Sequence, residues 1–256
     1  IKMPKILITN DDGIESKGLE ALYDAATTLG EVCVFAPNSN QSATGHSLTL
    51  NRPLRVKEIK EQWFSVDGTP TDCVNVALNG FLENKTPDLI LSGINIGTNL
   101  GDDVTYSGTI AAAMEGTLLG VSSIAISQDC EENTSTDFEL AKKTIIFLAK
   151  KILKEKLPPR VFLNINVPNV STEDCLGIQV ASQGKRVYGD RIVKRKDPRG
   201  VDYFWIGGDK LNSSYEPNTD FAAIESNHIS VTPVKMDLTD EEYKLHLKKW
   251  NFDEFI

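Results

Sequence analysis

Ile6-Leu7-Ile8-Thr9-Asn10-Asp11-Asp12-Gly13 is the stretch that decides the fold of this chain. A short apolar run ends abruptly in an amide, two adjacent carboxylates and a glycine, the pattern of a buried strand that empties charge into a loop. In an open α/β sheet, ligands bind in the crevice beyond the carboxyl ends of the strands, and paired aspartates there suit a hard cation. Asn-Asp-Asp-Gly is also ordinary turn chemistry, so on this stretch alone a solvated turn and a cation site both stay open.

Outward from this strand the chain alternates. Leu19, Leu22, Ala26 and Leu29 recur at helical spacing, and 31–36 reads as a second buried strand closed by Pro37. Segment 47–66 mixes Leu54, Val56 and Ile59 with charges and suggests an exposed hairpin. Thr69-Pro70 opens a helix as cap and first residue, with Val74, Ala77, Leu78 and Phe81 on its apolar side. A third strand is expected at 88–92, helices at 109–119 and 137–154 flanking a strand at 123–127, and another strand at 161–167. Repeated strand-helix-strand units of this length predict an α/β fold, Rossmann-like, with a mainly parallel sheet and helices on both faces.

From about residue 170 the texture changes to short β-like runs at 178–180, 203–206 and 229–231, with a terminal helix at 240–250. The expected organisation is an α/β catalytic core over 1–170 and a β-rich oligomerisation extension over 171–256, forming one continuous globular unit. Tyr188, Tyr203, Phe204 and Trp205 are too dispersed among turns to close a core of their own, so they are expected to bury against a second subunit.

Composition narrows the partners. With 256 residues, 40% hydrophobic and 25% charged, the chain can bury one substantial core. A formal net charge of −9 argues against nucleic acid as a partner, because no counterion-release term is available to an acidic surface. Cys33, Cys73, Cys130 and Cys175 are scattered, without the spacing of a zinc knuckle or a disulfide scaffold. No apolar stretch approaches the roughly 18 residues of a membrane span, and the start lacks a signal pattern, so a cytoplasmic protein that binds no membrane is expected.

Two further strand ends carry oxygen donors. Segment 36–42 follows the second strand and Ser92-Gly93-Ile94-Asn95 follows the third. Asp11, Asp12, Ser42 and Asn95 together offer carboxylates, a hydroxyl and an amide carbonyl, which suit Mg²⁺, Mn²⁺ or Ca²⁺ rather than zinc or copper. A glycine-spaced loop, Gly97 to Thr109, ends in Ser107-Gly108-Thr109 at a helix start, where free N–H groups and two hydroxyls can seat an anion. It lacks the Gly-Lys-Ser/Thr of a P-loop, and no G-x-G-x-x-G follows the first strand. A simple capped helix, with Ala111 to Ala113 allowing close packing, is the plainer alternative.

These motifs together resemble the SurE family of metal-dependent nucleotidases. The resemblance runs through 8–13, the Ala36-Pro37 segment into Ser42, Ser47-Leu48-Thr49 and 66–70, and above all 92–116. It continues in Leu163-Asn164-Ile165-Asn166-Val167-Pro168, 197–200, 205–208 and 229–233. It implies hydrolysis of nucleoside 5′- or 3′-monophosphates, one divalent cation per subunit on Asp11, Asp12, Ser42 and Asn95, and a homodimer or tetramer. Ala43, where many members have glycine, and His228, where an aromatic is usual, depart from the pattern without touching a ligand.

The expected catalytic residues are Asp11 and Asp12, with phosphate held by Asn99, Ser107, Gly108 and Thr109. The nucleophile stays open between a water acidified by the cation, with an aspartate as base, and direct attack by one of the aspartates. His46, the histidine nearest a strand end, is the candidate proton donor to the leaving group. Two rivals fare worse: a non-catalytic nucleotide- or metal-sensing module calls for a broken ligand set, and a haloacid-dehalogenase-like phosphatase calls for aspartates separated by one residue.

Overall fold

A computed structural model of the chain describes residues 3–82, 86–130, 137–185, 192–206, 216–250 and 252. In chain order its elements begin with β1 (Lys5–Thr9), α1 (Lys17–Thr27), β2 (Glu31–Pro37), β3 (Val56–Lys60), β4 (Trp63–Val66) and α2 (Pro70–Val76). They continue with β5 (Leu89–Ile96), α3 (Gly108–Leu118), β6 (Ser123–Gln128), α4 (Glu139–Lys154), β7 (Val161–Val167) and β8 (Ile178–Val180). β9 (Ile192–Lys196), β10 (Asp202–Ile206), α5 (Asp220–Glu225), β11 (Ile229–Lys235) and α6 (Glu241–Leu247) complete the series.

One nine-stranded sheet runs in the order β3-β4-β2-β1-β5-β6-β7-β11-β8, with parallel pairing from β4 through to β7. The two-residue period of β1 divides the core. Ile6 and Ile8 pack with Leu19, Leu22 and Ala26 of α1 and with Ile145 of α4 on one face, whereas Leu7 joins Phe35, Cys73 and Ala112 on the other. The α/β expectation with helices on both faces is therefore met. Local chemistry starts the helices: Ser16 accepts the Leu19 N–H at 3.2 Å, and Thr69 and Asp72 form a reciprocal capping box on α2. The α2 path ends in a π-helical turn at Ala77–Phe81.

Segment 47–66 ends in the expected hairpin, β3 and β4 pairing antiparallel at the edge of the sheet. β4 pairs in parallel with β2 and buries Trp63 and Val66, leaving only β3 as an exposed edge. The Trp63 ring explains this, since it packs 5.0 Å from Tyr23 under a Lys60 cap. The sheet continues past residue 170, with β11 lying between β7 and β8. Among the described residues only β9 and β10 stand apart, as an antiparallel ribbon with Phe204, Trp205 and Ile206 exposed. Tyr188 lies outside the described residues, as do Gly207 and Gly208. Among the described residues no helix is long and apolar enough to cross a membrane.

Candidate active site at the ends of β1, β2 and β5

β1 lies between β2 and β5, and the chain leaves β1 toward β2 before returning to β5 on its other side. That reversal of strand order opens a crevice at the carboxyl ends of β1 and β5. Register fixes what faces it. Thr9 pairs with Ser92, so Asp11 and Asp12 emerge beside the segment carrying Asn95, where the β5–β6 register also shifts.

Asp11 is buried, with 4% of its surface exposed. Burial pushes its carboxyl above the usual range, opposed by the Thr109 hydroxyl and by the main-chain amides of Thr109 and Gly108. The Thr109 hydroxyl donates directly to Asp11 Oδ1. The carboxylate therefore sits on the positive end of α3, the end expected to seat phosphate. Gly108 makes this approach possible, because a Cβ there would lie 2.8 Å from Asp11 Cβ.

The other expected ligands reach the crevice through their loops. Gln41 N–H donates to the Asp11 carbonyl at 2.8 Å, which brings the Ser42 loop to the end of β1. Ser42 itself is exposed, its hydroxyl donating to Asn40 Oδ1 at 2.6 Å. Asn95 Nδ2 donates to the carbonyls of Gly97 at 2.8 Å and Ile96 at 3.3 Å, which leaves Oδ1 outside these bonds. Asn10 shapes the turn that carries both aspartates, donating to the Gly13 carbonyl at 2.9 Å and to Ser16 Oγ at 2.8 Å.

Asp11, Asp12, Ser42 and Asn95 fit a hard divalent ion. All donors are oxygen, and a buried carboxylate whose charge is penalised by burial gains from a cation beside it. Among the described residues no three His, Cys, Asp or Glu side chains form a metal cluster, so such an ion would take two carboxylates, neutral oxygens and solvent.

The expected phosphate-binding residues divide. Ser107 caps α3 by accepting the Ile110 N–H at 3.2 Å, and its own hydroxyl proton stays available to an anion. Thr109 has its proton committed to Asp11, so it supports a carboxylate instead of a phosphate oxygen. Asn99 is buried and its Nδ2 donates to Ser127 Oγ at 2.8 Å. His46 Nε2 lies 2.8 Å from Glu115 Oε2, a residue two turns into α3 and about 10 Å along the helix from its start. Glu115 also accepts from Asn75 Nδ2 at 2.6 Å, a pairing that short-range sequence patterns do not show. A cavity of about 510 Å³ lined by Lys5, Cys33, Phe35, Phe64 and Phe81 lies toward the start of β1, remote from these groups.

A profile of the family described as survival protein SurE matches residues 6–190. The chain belongs to the SurE family. The 5′-nucleotidase SurE of Geotalea daltonii is 48% identical over 246 residues, covering 96% of this chain and 98% of that protein. The 5′-nucleotidase SurE of Syntrophotalea carbinolica is 46% identical, over 96% of this chain and 97% of its own length. The crystal structure of the SurE protein from Aquifex aeolicus superposes with a TM-score of 0.85 at 44% identity, covering 96% of this chain and 98% of that one. The SurE likeness thus spans the sheet, the crevice and the C-terminal strands together.

Proposed function

We propose that this SurE-family chain is a metal-dependent 5′-nucleotidase that hydrolyses nucleoside 5′-monophosphates, and 3′-monophosphates as well, to nucleoside and phosphate. The observation that carries this reading is the buried Asp11 carboxylate held on the start of α3 at the switch point of the sheet. Asp11, Asp12, Ser42 and Asn95 hold one Mg²⁺, Mn²⁺ or Ca²⁺ per subunit. When bound, the cation offsets the negative charge that phosphoryl transfer concentrates on the phosphate oxygens. Asp11 and Asp12 are the catalytic carboxylates, and Thr109 keeps Asp11 aimed into the crevice. Ser107 donates its free hydroxyl proton to a phosphate oxygen.

The assembly is a homodimer or tetramer, supported by the exposed apolar face of β9 and β10. Free cysteines fit a reducing cytoplasm, and the acidic net charge fits a small-molecule substrate over nucleic acid. The deciding experiment is phosphate release over a panel of purine and pyrimidine nucleoside monophosphates. Activity is expected to vanish with a chelator and to return with Mg²⁺ or Mn²⁺. Full turnover after exhaustive chelation overturns the reading.

A further inference from the structure

The Leu163-Asn164-Ile165-Asn166 segment and Asp220 have no part in the reaction derived above, yet all three polar side chains are fully buried. Burying amides and a carboxylate is costly unless each finds partners, and well-packed apolar residues would serve stability at least as well. Each of the three has a main-chain partner in one short stretch, 99–101. Asn166 Oδ1 accepts the Asn99 N–H at 2.8 Å, while the Asn99 carbonyl accepts from Asn164 Nδ2 at 2.8 Å and Asn166 Nδ2 at 3.1 Å. Two residues on, Asp220 Oδ2 accepts the Gly101 N–H at 2.8 Å. Its Oδ1 accepts from Gly184 at 2.8 Å and Phe221 at 3.0 Å.

The fit around Gly101 is close. Its φ is +52°, and a Cβ there would lie 2.4 Å from the Gly184 carbonyl oxygen. The 3₁₀ turn Gly101–Thr105 starts at this point and leads directly into Ser107. The stretch before the anion-facing end of α3 is thus gripped from β7 on one side and from the start of α5 on the other.

We infer that Asn164, Asn166 and Asp220 are positioning residues for phosphate recognition, acting through the backbone of Asn99 and Gly101 to set the loop that presents Ser107. The inference rests on the proposed reading of this loop as the phosphate side of the site. It makes α5, far along the chain, part of the machinery of the α/β core. Buried hydrogen-bond networks of this kind specify geometry, and loss of a supporting partner at a functional site typically costs 10–100-fold.

The test uses full-length protein loaded with Mn²⁺. Asp220→Asn places an amide against the Gly101 N–H, and Asn166→Asp keeps an acceptor for the Asn99 N–H while removing the donor to its carbonyl. Each variant is compared with wild type by calorimetry with orthophosphate, calorimetry with Mn²⁺, and amide hydrogen exchange. Expected are orthophosphate affinity lower by roughly tenfold or more, Mn²⁺ affinity within about twofold, and faster exchange confined to 97–107. A soluble variant with unchanged loop exchange and orthophosphate affinity overturns the inference. If Asp220→Asn does not fold, Asn166→Asp decides, because it acts on the same backbone from another element. Faster loop exchange in a protein whose wild type binds no orthophosphate overturns the phosphate assignment of the loop and leaves the positioning contacts standing.

Discussion

Thr109 donates its hydroxyl to Oδ1 of Asp11, a residue 98 positions earlier in the chain. Both side chains are buried, so the bond joins the end of β1 to the start of α3 away from water. Thr109→Val removes the donor while nearly keeping the volume. The metal-free fold is expected to lose about 1–3 kcal/mol, the cost of a buried carboxylate missing a partner. Nucleotidase activity should fall by roughly 10–100-fold. Denaturant titration and phosphate release measure the two effects, and wild-type turnover in the valine variant would show that the hydroxyl does not aim Asp11.

Asp11→Asn tests the opposite balance. Burial makes the charged carboxylate unfavourable in the metal-free protein, so the neutral amide should raise its melting temperature while turnover drops by at least roughly a hundredfold. Ser42→Ala and Asn95→Ala should weaken turnover less, since each removes a neutral oxygen that water can replace. A metal-free Asp11→Asn protein less stable than wild type contradicts the burial argument.

Gly108→Ala is informative because propensity and sterics point in opposite directions. Alanine favours the helix by about 1 kcal/mol. Its Cβ, however, would lie 2.8 Å from Asp11 Cβ and 3.1 Å from Pro70 Cγ. Activity and Mn²⁺ affinity are expected to fall together, with Asp11 displaced from the helix end. A variant that keeps both would mean the two elements separate at little cost.

Phe204 and Trp205 on the β10 ribbon should be covered by a second copy of the chain. Light scattering at micromolar concentration is expected to give a multiple of the single-chain mass, and Trp205→Glu should lower it without changing Mn²⁺ affinity. A single-chain mass for the unmodified protein ends this assignment. Removing the α6 segment should weaken assembly before it touches the metal site.

Burial, reinforced by the charge of Glu58, pushes the Cys33 thiol up to about 11. A raised value means the folded state favours the protonated form. This stabilising contribution is complete below the ordinary thiol range and disappears as the pH rises through about 11. At pH 8 only on the order of 0.1% of native Cys33 is thiolate, so iodoacetamide should modify it slowly until the chain is unfolded. Peptide mass spectrometry reads this directly, and rapid native labelling at pH 8 would contradict it.

The core of the fold was legible in the sequence because the apolar run Ile6-Leu7-Ile8 and the helical spacing of Leu19, Leu22 and Ala26 are local signals. The Ser107 and Thr69 caps were legible for the same reason. Asp11 on the end of α3 was not, since nothing near either residue encodes the contact. The position of β11 was hidden by Pro233, which argues for an edge or a break. In the structure β8 pairs only with 229–231, so Pro233 sits where that side of β11 is open. Asn164 and Asn166 did carry a signal, two amides two apart on a buried strand, but their target at Asn99 is set by tertiary structure.

The place of β11 between β7 and β8 also bears on how the chain is made. When β7 leaves the ribosome, the strand that will cover its free edge has yet to be synthesised. At about 5–20 residues per second that edge stays open for several seconds, an exposed template for pairing with other nascent chains. A sheet whose strands β1 to β7 are already made is thus obliged to wait for β11, and the vulnerable interval in the protein's life is its own translation.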